Sequence, residues 1–208
     1  MPVTDRSPDP VELWVDPSCP WCWQTAAWLR ELRDRGSITI AWRLFSLELN
    51  ASGSDVPFWE ASALHGEAHT ALIQAQREQG DEAFESLYVV LGTRLHTVGE
   101  RVSPQLIREA ASDAGLEGIV ERSIDDPTVV AEIIEGQVTA RDRSIFGVPT
   151  FTVAGSKPIY GPIVAVAPDE DDALGWWEHV RWLALRPNFF ELKRWPRDLR
   201  PGRRSDDT

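Results

Sequence analysis

Sulfur is scarce in this chain: its 208 residues include two cysteines and one methionine. Both cysteines fall in one stretch, Cys19-Pro20-Trp21-Cys22, so no other pair remains to staple the fold and a structural disulfide framework is excluded. Basic charge is also short. Lys and Arg number 21 against 33 Asp and Glu, a formal net charge of −12, which argues against nucleic acid or an anionic membrane as partner. No apolar run approaches the roughly 20 residues that span a bilayer. Met1 to Pro10 is polar and proline-rich, without the charged head and apolar stretch of a secretory signal. Taken as a true start, it places the protein in the cytosol, where a CxxC stays available for reduction and a reductase is expected. No GxGxxG occurs, so electrons are expected to arrive through thiols, with no flavin.

What is present centres on Asp16-Pro17-Ser18-Cys19-Pro20-Trp21-Cys22-Trp23. Ahead of it, Glu12-Leu13-Trp14-Val15 carries aromatic and β-branched residues and reads as a strand. Behind it, Ala26, Leu29 and Leu32, with Trp28, fall at helical spacing. Ser18 is the expected N-cap, Cys19 opens the first turn, and Pro20 suits a position whose N–H has no intrahelical partner. Cysteines three apart share a helix face, so their sulfurs can meet. A sulfur at the positive end of a helix favours thiolate, with a pKa in the range of about 3.5–7.5 for such sites. Cys19 is therefore the expected nucleophile, and the more enclosed Cys22 the resolving thiol.

The chain is long enough for one domain carrying a sizeable insertion. Residues 11–50 read as a β-α-β unit with a second strand over Ser37–Phe45, hence a parallel pair with a right-handed crossover. Residues 58–144 read as an inserted helical subdomain. Its helices are expected over Phe58–Glu78, stopped by Gly80, and over Asp81–His96. A third runs from Ser103-Pro104 to Gly115 and a fourth starts at Asp126-Pro127, each with a capping residue before proline. Residues 145–186 return to β: a strand through Val153, a turn at Gly155-Ser156, a partner strand Lys157–Gly161, and a helix over Asp169–Leu185. Residues 187–208 form an arginine-rich tail (Arg194, Arg197, Arg200, Arg203, Arg204) whose end, Ser205–Thr208, is expected to be disordered.

Other groups have the spacing or placement of a site. His65 and His69 are i, i+4, the spacing two zinc ligands use, and with Cys19 and Cys22 would complete a Cys2His2 set. The expectation is no metal: Gly66-Glu67-Ala68 between them is not a zinc-protease motif, histidines suit the solvated face of a helix, and a tight site would silence the thiols. Arg141 and Arg143 fit a substrate carboxylate or, more simply, a solvated helix end. Trp21, between the two sulfurs, offers a flat apolar surface to an aromatic acceptor. Trp23 suits the core.

Taken together, Cys19-Pro20-Trp21-Cys22 after a first strand, a helical insertion, and Gly147-Val148-Pro149-Thr150-Phe151 before a hairpin resemble the DsbA family of thioredoxin-fold oxidoreductases. Asp16-Pro17, Leu49-Asn50, Gly92-Thr93-Arg94-Leu95-His96 and Gly161-Pro162 narrow the resemblance to the actinobacterial mycothiol-dependent nitroreductases, a cytosolic branch. The resemblance implies a thioredoxin fold, α/β, split by the helical insertion. It implies a cis Pro149 beside the CxxC, leaving the Val148 backbone to pair with a substrate as an added strand. It implies mycothiol as reductant and disulfide or nitroaromatic acceptors, met by Pro20, Trp21, Asn50, Val148 and Thr150. Asn50 would hydrogen-bond the bound thiol, and His96 would move a proton or steady the thiolate if the insertion folds over the CxxC. Two other classes stay open: a zinc-binding or chaperone-like module, and a kappa-type transferase or isomerase. The latter carries a single hydroxyl at the nucleophile position, so Cys22 weighs against it.

Overall fold

A computed structural model describes residues 7–52, 55–193 and 200–202. Arg194, Arg197, Arg203, Arg204 and the terminal Ser205–Thr208 lie outside the described residues; Arg200 is exposed. A four-stranded sheet has the order β2-β1-β3-β4, with β1 over Asp9–Val15, β2 over Ile38–Leu44, β3 over Thr150–Val153 and β4 over Ile159–Tyr160. β1 pairs in parallel with β2, Leu13 opposite Trp42, and antiparallel with β3, Leu13 opposite Phe151. β1 is an inner strand, and Val11, Leu13, Trp14 and Val15 are all buried. The expected first strand was right in place and short by its three opening residues, Asp9, Pro10 and Val11, which lie opposite Ile38, Thr39 and Ile40.

Helix α1, Pro20–Asp34, connects β1 to β2 and ends where Gly36 takes a φ of +73°. It buries Trp28, whose Nε1 donates to the Ala173 carbonyl at 3.1 Å on α9, Glu170–Ala184. Helix α9 lies within a residue of its expected limits at each end, and Asp169, read as its first residue, is its cap, accepting from the Asp172 N–H.

Between β2 and β3 the chain is helical, in more pieces than the sequence suggested. A five-residue helix α2, Leu47–Ala51, capped by Ser46, follows β2, where no helix was expected. The expected Phe58–Glu78 helix is two: α3, Phe58–Ala61, and α4, Gly66–Gln79. The junction seats Gly66 against the Trp59 ring, where a Cβ would stand 3.1 Å from the ring. Helix α5, Asp81–Gly92, ends four residues before the expected limit and passes into a π-helical turn, Thr93–Val98. Helix α6, Pro104–Asp113, starts on Ser103 as expected, its hydroxyl accepting from Leu106. The short α7, Ile119–Asp125, was not anticipated. Helix α8, Pro127–Asp142, is capped by Asp126 as expected; Val129 and Ile133 are buried, while Ile134 and Val138 face solvent.

Two features bring these helices onto the sheet and α1. Glu85 of α5 takes Arg30 of α1 at 2.8 Å and the Trp42 indole N–H of β2 at 3.1 Å. Gly92 lies against Trp23, whose ring a Cβ there would meet at 2.3 Å. Trp23 is thus packed under the helices, as expected of a core residue. Among the described residues no helix is long and apolar enough to cross a membrane.

Candidate active site

The cap of α1 is Cys19 itself and not Ser18. The backbone of Cys19 is extended, and its Sγ accepts the Cys22 N–H at 3.3 Å. The Ser18 N–H instead donates to the Asp16 carboxylate at 2.7 Å, tying Ser18 into the preceding turn. The capping sulfur thereby meets one of the N–H groups the helix cannot satisfy internally.

Both cysteines are free thiols, Cys22 fully buried and Cys19 5% exposed. Their environments drive them apart. The Cys22 thiol hydrogen-bonds to Cys19 and lowers its pKa below the ordinary thiol value; burial opposes this, and the Cys22 and Trp21 N–H groups reinforce it. For Cys22 burial dominates, and together with the Cys19 sulfur it pushes the thiol well above its ordinary value. The order expected from helix position holds, but the largest single cause is the neighbouring thiol and not the helix end.

The Val148–Pro149 peptide is cis, and the Val148 carbonyl lies 3.9 Å from the Cys19 sulfur. Thr150 closes that turn, its hydroxyl donating to the Gly147 carbonyl at 2.7 Å. Val148 and Thr150 are buried, while Pro20 and Trp21 are half-buried on the approach to the sulfurs. The structure therefore brings Cys19, Cys22, Val148 and Pro149 together.

Asn50 and His96 reach this region through backbone and not through sulfur. The Asn50 amide donates to the Phe146 carbonyl at 3.2 Å, bracing the loop that leads to Pro149. His96 reaches the Pro17 carbonyl through Nε2 at 2.8 Å, so the helices do fold over the CxxC loop. A carbonyl only accepts, so Nε2 carries the proton. Burial lowers the His96 pKa, against the opposing pull of Pro17 and Asp16, and favours the neutral ring.

His65 and His69 do not lie on a solvated face. His65 pairs with Glu48 at 3.2 Å, and His69 is fully buried with Nε2 3.4 Å from Asp16 Oδ1. Each has turned inward to a carboxylate, His65 to Glu48 and His69 to Asp16. Among the described residues no group of three or more His, Cys, Asp or Glu is placed to hold a metal ion. Arg141 donates to the Leu49 carbonyl at 3.2 Å, and Arg143 pairs with Glu12 at 2.8 Å and lies over Trp14. These contacts make both arginines braces between α8 and the sheet region.

Asp16 and Tyr88 were not singled out as site residues in the sequence. Asp16 is fully buried. Burial would raise its carboxyl, but the His69 ring and the N–H groups of Leu47 and Ser18 outweigh it and hold the pKa at about 2. Tyr88 is buried with Trp42 and Trp23, and burial, then the Cys22 sulfur, pushes its phenol well up. The signal for Asp16 was the Asp16-Pro17 pair ahead of the CxxC; Tyr88 carried none of its own in the sequence.

A four-stranded sheet with a cis proline facing a helix-capping CxxC thiol defines a thioredoxin-fold thiol–disulfide oxidoreductase. Solved structures with this fold include a probable DsbA oxidoreductase from Streptomyces coelicolor, with a TM-score of 0.57 and 19% identity over 89% of this chain and 93% of that one. Another is the cytosolic disulfide reductase DsbM of Pseudomonas aeruginosa, solved with GSH, with a TM-score of 0.57 and 14% identity over 83% and 99%. At these identities the likeness is one of fold. The chain belongs to the Rv2466c-like family, described as mycothiol-dependent nitroreductase Rv2466c, whose model matches residues 18–194. An uncharacterized protein of Mycobacterium tuberculosis, Rv2286c, is 30% identical over 187 residues, 88% of this chain and 81% of its own length.

Proposed function

We propose that this chain is a cytoplasmic reductase in which Cys19 is the nucleophile, Cys22 the resolving thiol and mycothiol the source of electrons. The observation that carries the reading is the asymmetry of the pair: Cys19 caps the helix with its thiol lowered, while Cys22 is fully buried with its thiol raised. In the cycle the Cys19 thiolate attacks one sulfur of an acceptor disulfide, whose S–S bond breaks and expels a thiol. Cys22 then gives up its proton and attacks the Cys19 sulfur, closing the protein disulfide and releasing the second thiol. Two molecules of mycothiol return two electrons and two protons and leave as their own disulfide. A nitroaromatic acceptor would take the same two electrons and two protons, its nitro group becoming nitroso and water.

In this reading residues 11–50 and 145–186 form the redox domain and 58–144 the subdomain over it. Pro149 and the Val148 backbone present the substrate, Trp21 and Pro20 line its approach, and Asn50, His96 and Thr150 hold the flanking backbone. The test is NADPH consumption with a disulfide or nitroaromatic acceptor, electrons being supplied in turn by mycothiol, glutathione or thioredoxin, each with its reductase. Turnover with mycothiol and little with the other two is expected. Turnover with thioredoxin alone would keep the dithiol chemistry and remove mycothiol from it.

A further inference from the structure

Between the α3–α4 turn and the head of α6 lies a cavity of about 150 Å³. Trp59 and Leu64, both exposed, stand at its rim, and the buried Ile107 forms part of its wall with Val102 and Pro104. The rim is fixed in place. The Trp59 ring rests on Gly66 and packs edge-on against Phe58, with ring centroids 4.9 Å apart. Two polar groups interrupt the apolar lining. The hydroxyl of Ser62, a residue 1% exposed, and Glu67 Oε2 are both buried with no hydrogen-bond partner among the described residues. Arg108 Nη1 stands 3.3 Å from Glu67 Oε2, but its hydrogen bond goes to the Pro104 carbonyl at 2.9 Å. Buried polar groups are almost always paired, so a hydroxyl and a carboxylate oxygen left over in one cavity point to a third partner. Glu67 and His69 are two residues apart on α4 and face different sides of it. The cavity therefore lies on the side of α4 turned away from the His69–Asp16 contact and the CxxC loop.

We infer that this cavity is a second binding site, separate from the thiols, for a small neutral molecule with one aromatic ring and a hydroxyl, a simple phenol. Its size sets the ring: an apolar protein cavity of about 150 Å³ takes one benzene. The Trp59 ring at the rim suits an aromatic partner. The leftover pair sets the functional group. A carboxylate only accepts and a serine hydroxyl does both, so a ligand hydroxyl can donate to Glu67 while accepting from Ser62. Charge rejects the alternatives: an anionic ligand would meet Glu67, and an ammonium would meet the Arg108 guanidinium beside the same oxygen. Binding here breaks no bond and moves no electron, so it does not depend on the dithiol cycle.

The test titrates phenol, toluene and benzylamine in turn into the full chain, read by calorimetry and by the shifts of assigned backbone amides. Phenol is expected to bind with a dissociation constant of about 1 mM or tighter and to shift the amides of residues 59–67 and 102–107. Toluene matches its size but leaves both polar groups unpaired, and should bind about tenfold more weakly or worse. Benzylamine should also bind more weakly than phenol. Ser62→Ala removes one of the two partners and should cut the preference for phenol over toluene by about threefold or more. Equal affinity for phenol and toluene, benzylamine binding as tightly as phenol, or an unchanged preference in folded Ser62→Ala overturns the inference. So do shifts confined to residues 16–23 and 146–150, which would place the phenol at the thiol site. No binding at about 10 mM phenol overturns it as well, because water would then be the partner of the two groups. Should Ser62→Ala not fold, the wild-type ratio of phenol to toluene affinity and the amide map decide the matter.

Discussion

Cys19→Ser is expected to lower turnover with every thiol donor to background, a loss of about a thousandfold or more, equivalent to about 4 kcal/mol of transition-state stabilisation. The serine hydroxyl can still cap α1, so the fold should survive and the variant should keep its thermal midpoint. What disappears is the one sulfur that both meets the Cys22 N–H and lies beside the Val148 carbonyl. Cys22 cannot stand in for it. It is fully enclosed, and its thiol is pushed well above the ordinary value by burial. Steady-state rates measured beside a thermal melt check both halves of the expectation. Residual turnover near wild type in a folded Cys19→Ser chain would remove Cys19 from the chemistry.

Cys22→Ala should have a different signature. It removes the resolving sulfur, so an acceptor disulfide is attacked once and the mixed disulfide at Cys19 persists, seen as a mass increase in the intact protein. It also removes the thiol that does most to lower the Cys19 pKa. The sign follows directly: thiolate is the reactive form, so raising its pKa moves the onset of Cys19 reactivity to higher pH. A hydrogen bond to a charged group is worth roughly 1.5–3 kcal/mol, so attack on the acidic side of that onset should slow about tenfold or more. Greater intrinsic nucleophilicity of the more basic thiolate returns part of this. Cys22→Ser, which restores a donor but no resolving sulfur, should trap the adduct while leaving the onset nearer wild type. Alkylation rate against pH for the two variants separates the effects.

Much of this was legible because the signals are local. A strand running into a CxxC at the head of an apolar helix needs only the residues themselves, and so do Ser103 and Asp126 placed before prolines. The reading failed where long-range contacts decide. Helix α2 is five residues, too short to announce itself, and its first N–H is held by Asp16 from 31 residues away. His69 read as a histidine of a solvated helix face, and only the folded chain shows the carboxylate that draws it inside. Ser18 read as the cap of α1; in the folded chain its N–H is held by Asp16, and the cap is Cys19. Asn50 and His96 were found by resemblance, and what they touch is the backbone of the two loops that meet at the sulfur.

The most direct test of the asymmetric dithiol is to alkylate the reduced native protein with iodoacetamide across a pH series and map the modified peptide. One adduct per chain is expected, at Cys19, with its onset below that of an ordinary thiol, while Cys22 stays unmodified until the chain is unfolded. Modification of Cys22 first, or of both cysteines together at the pH of a free thiol, would contradict the division of roles on which the proposed cycle depends.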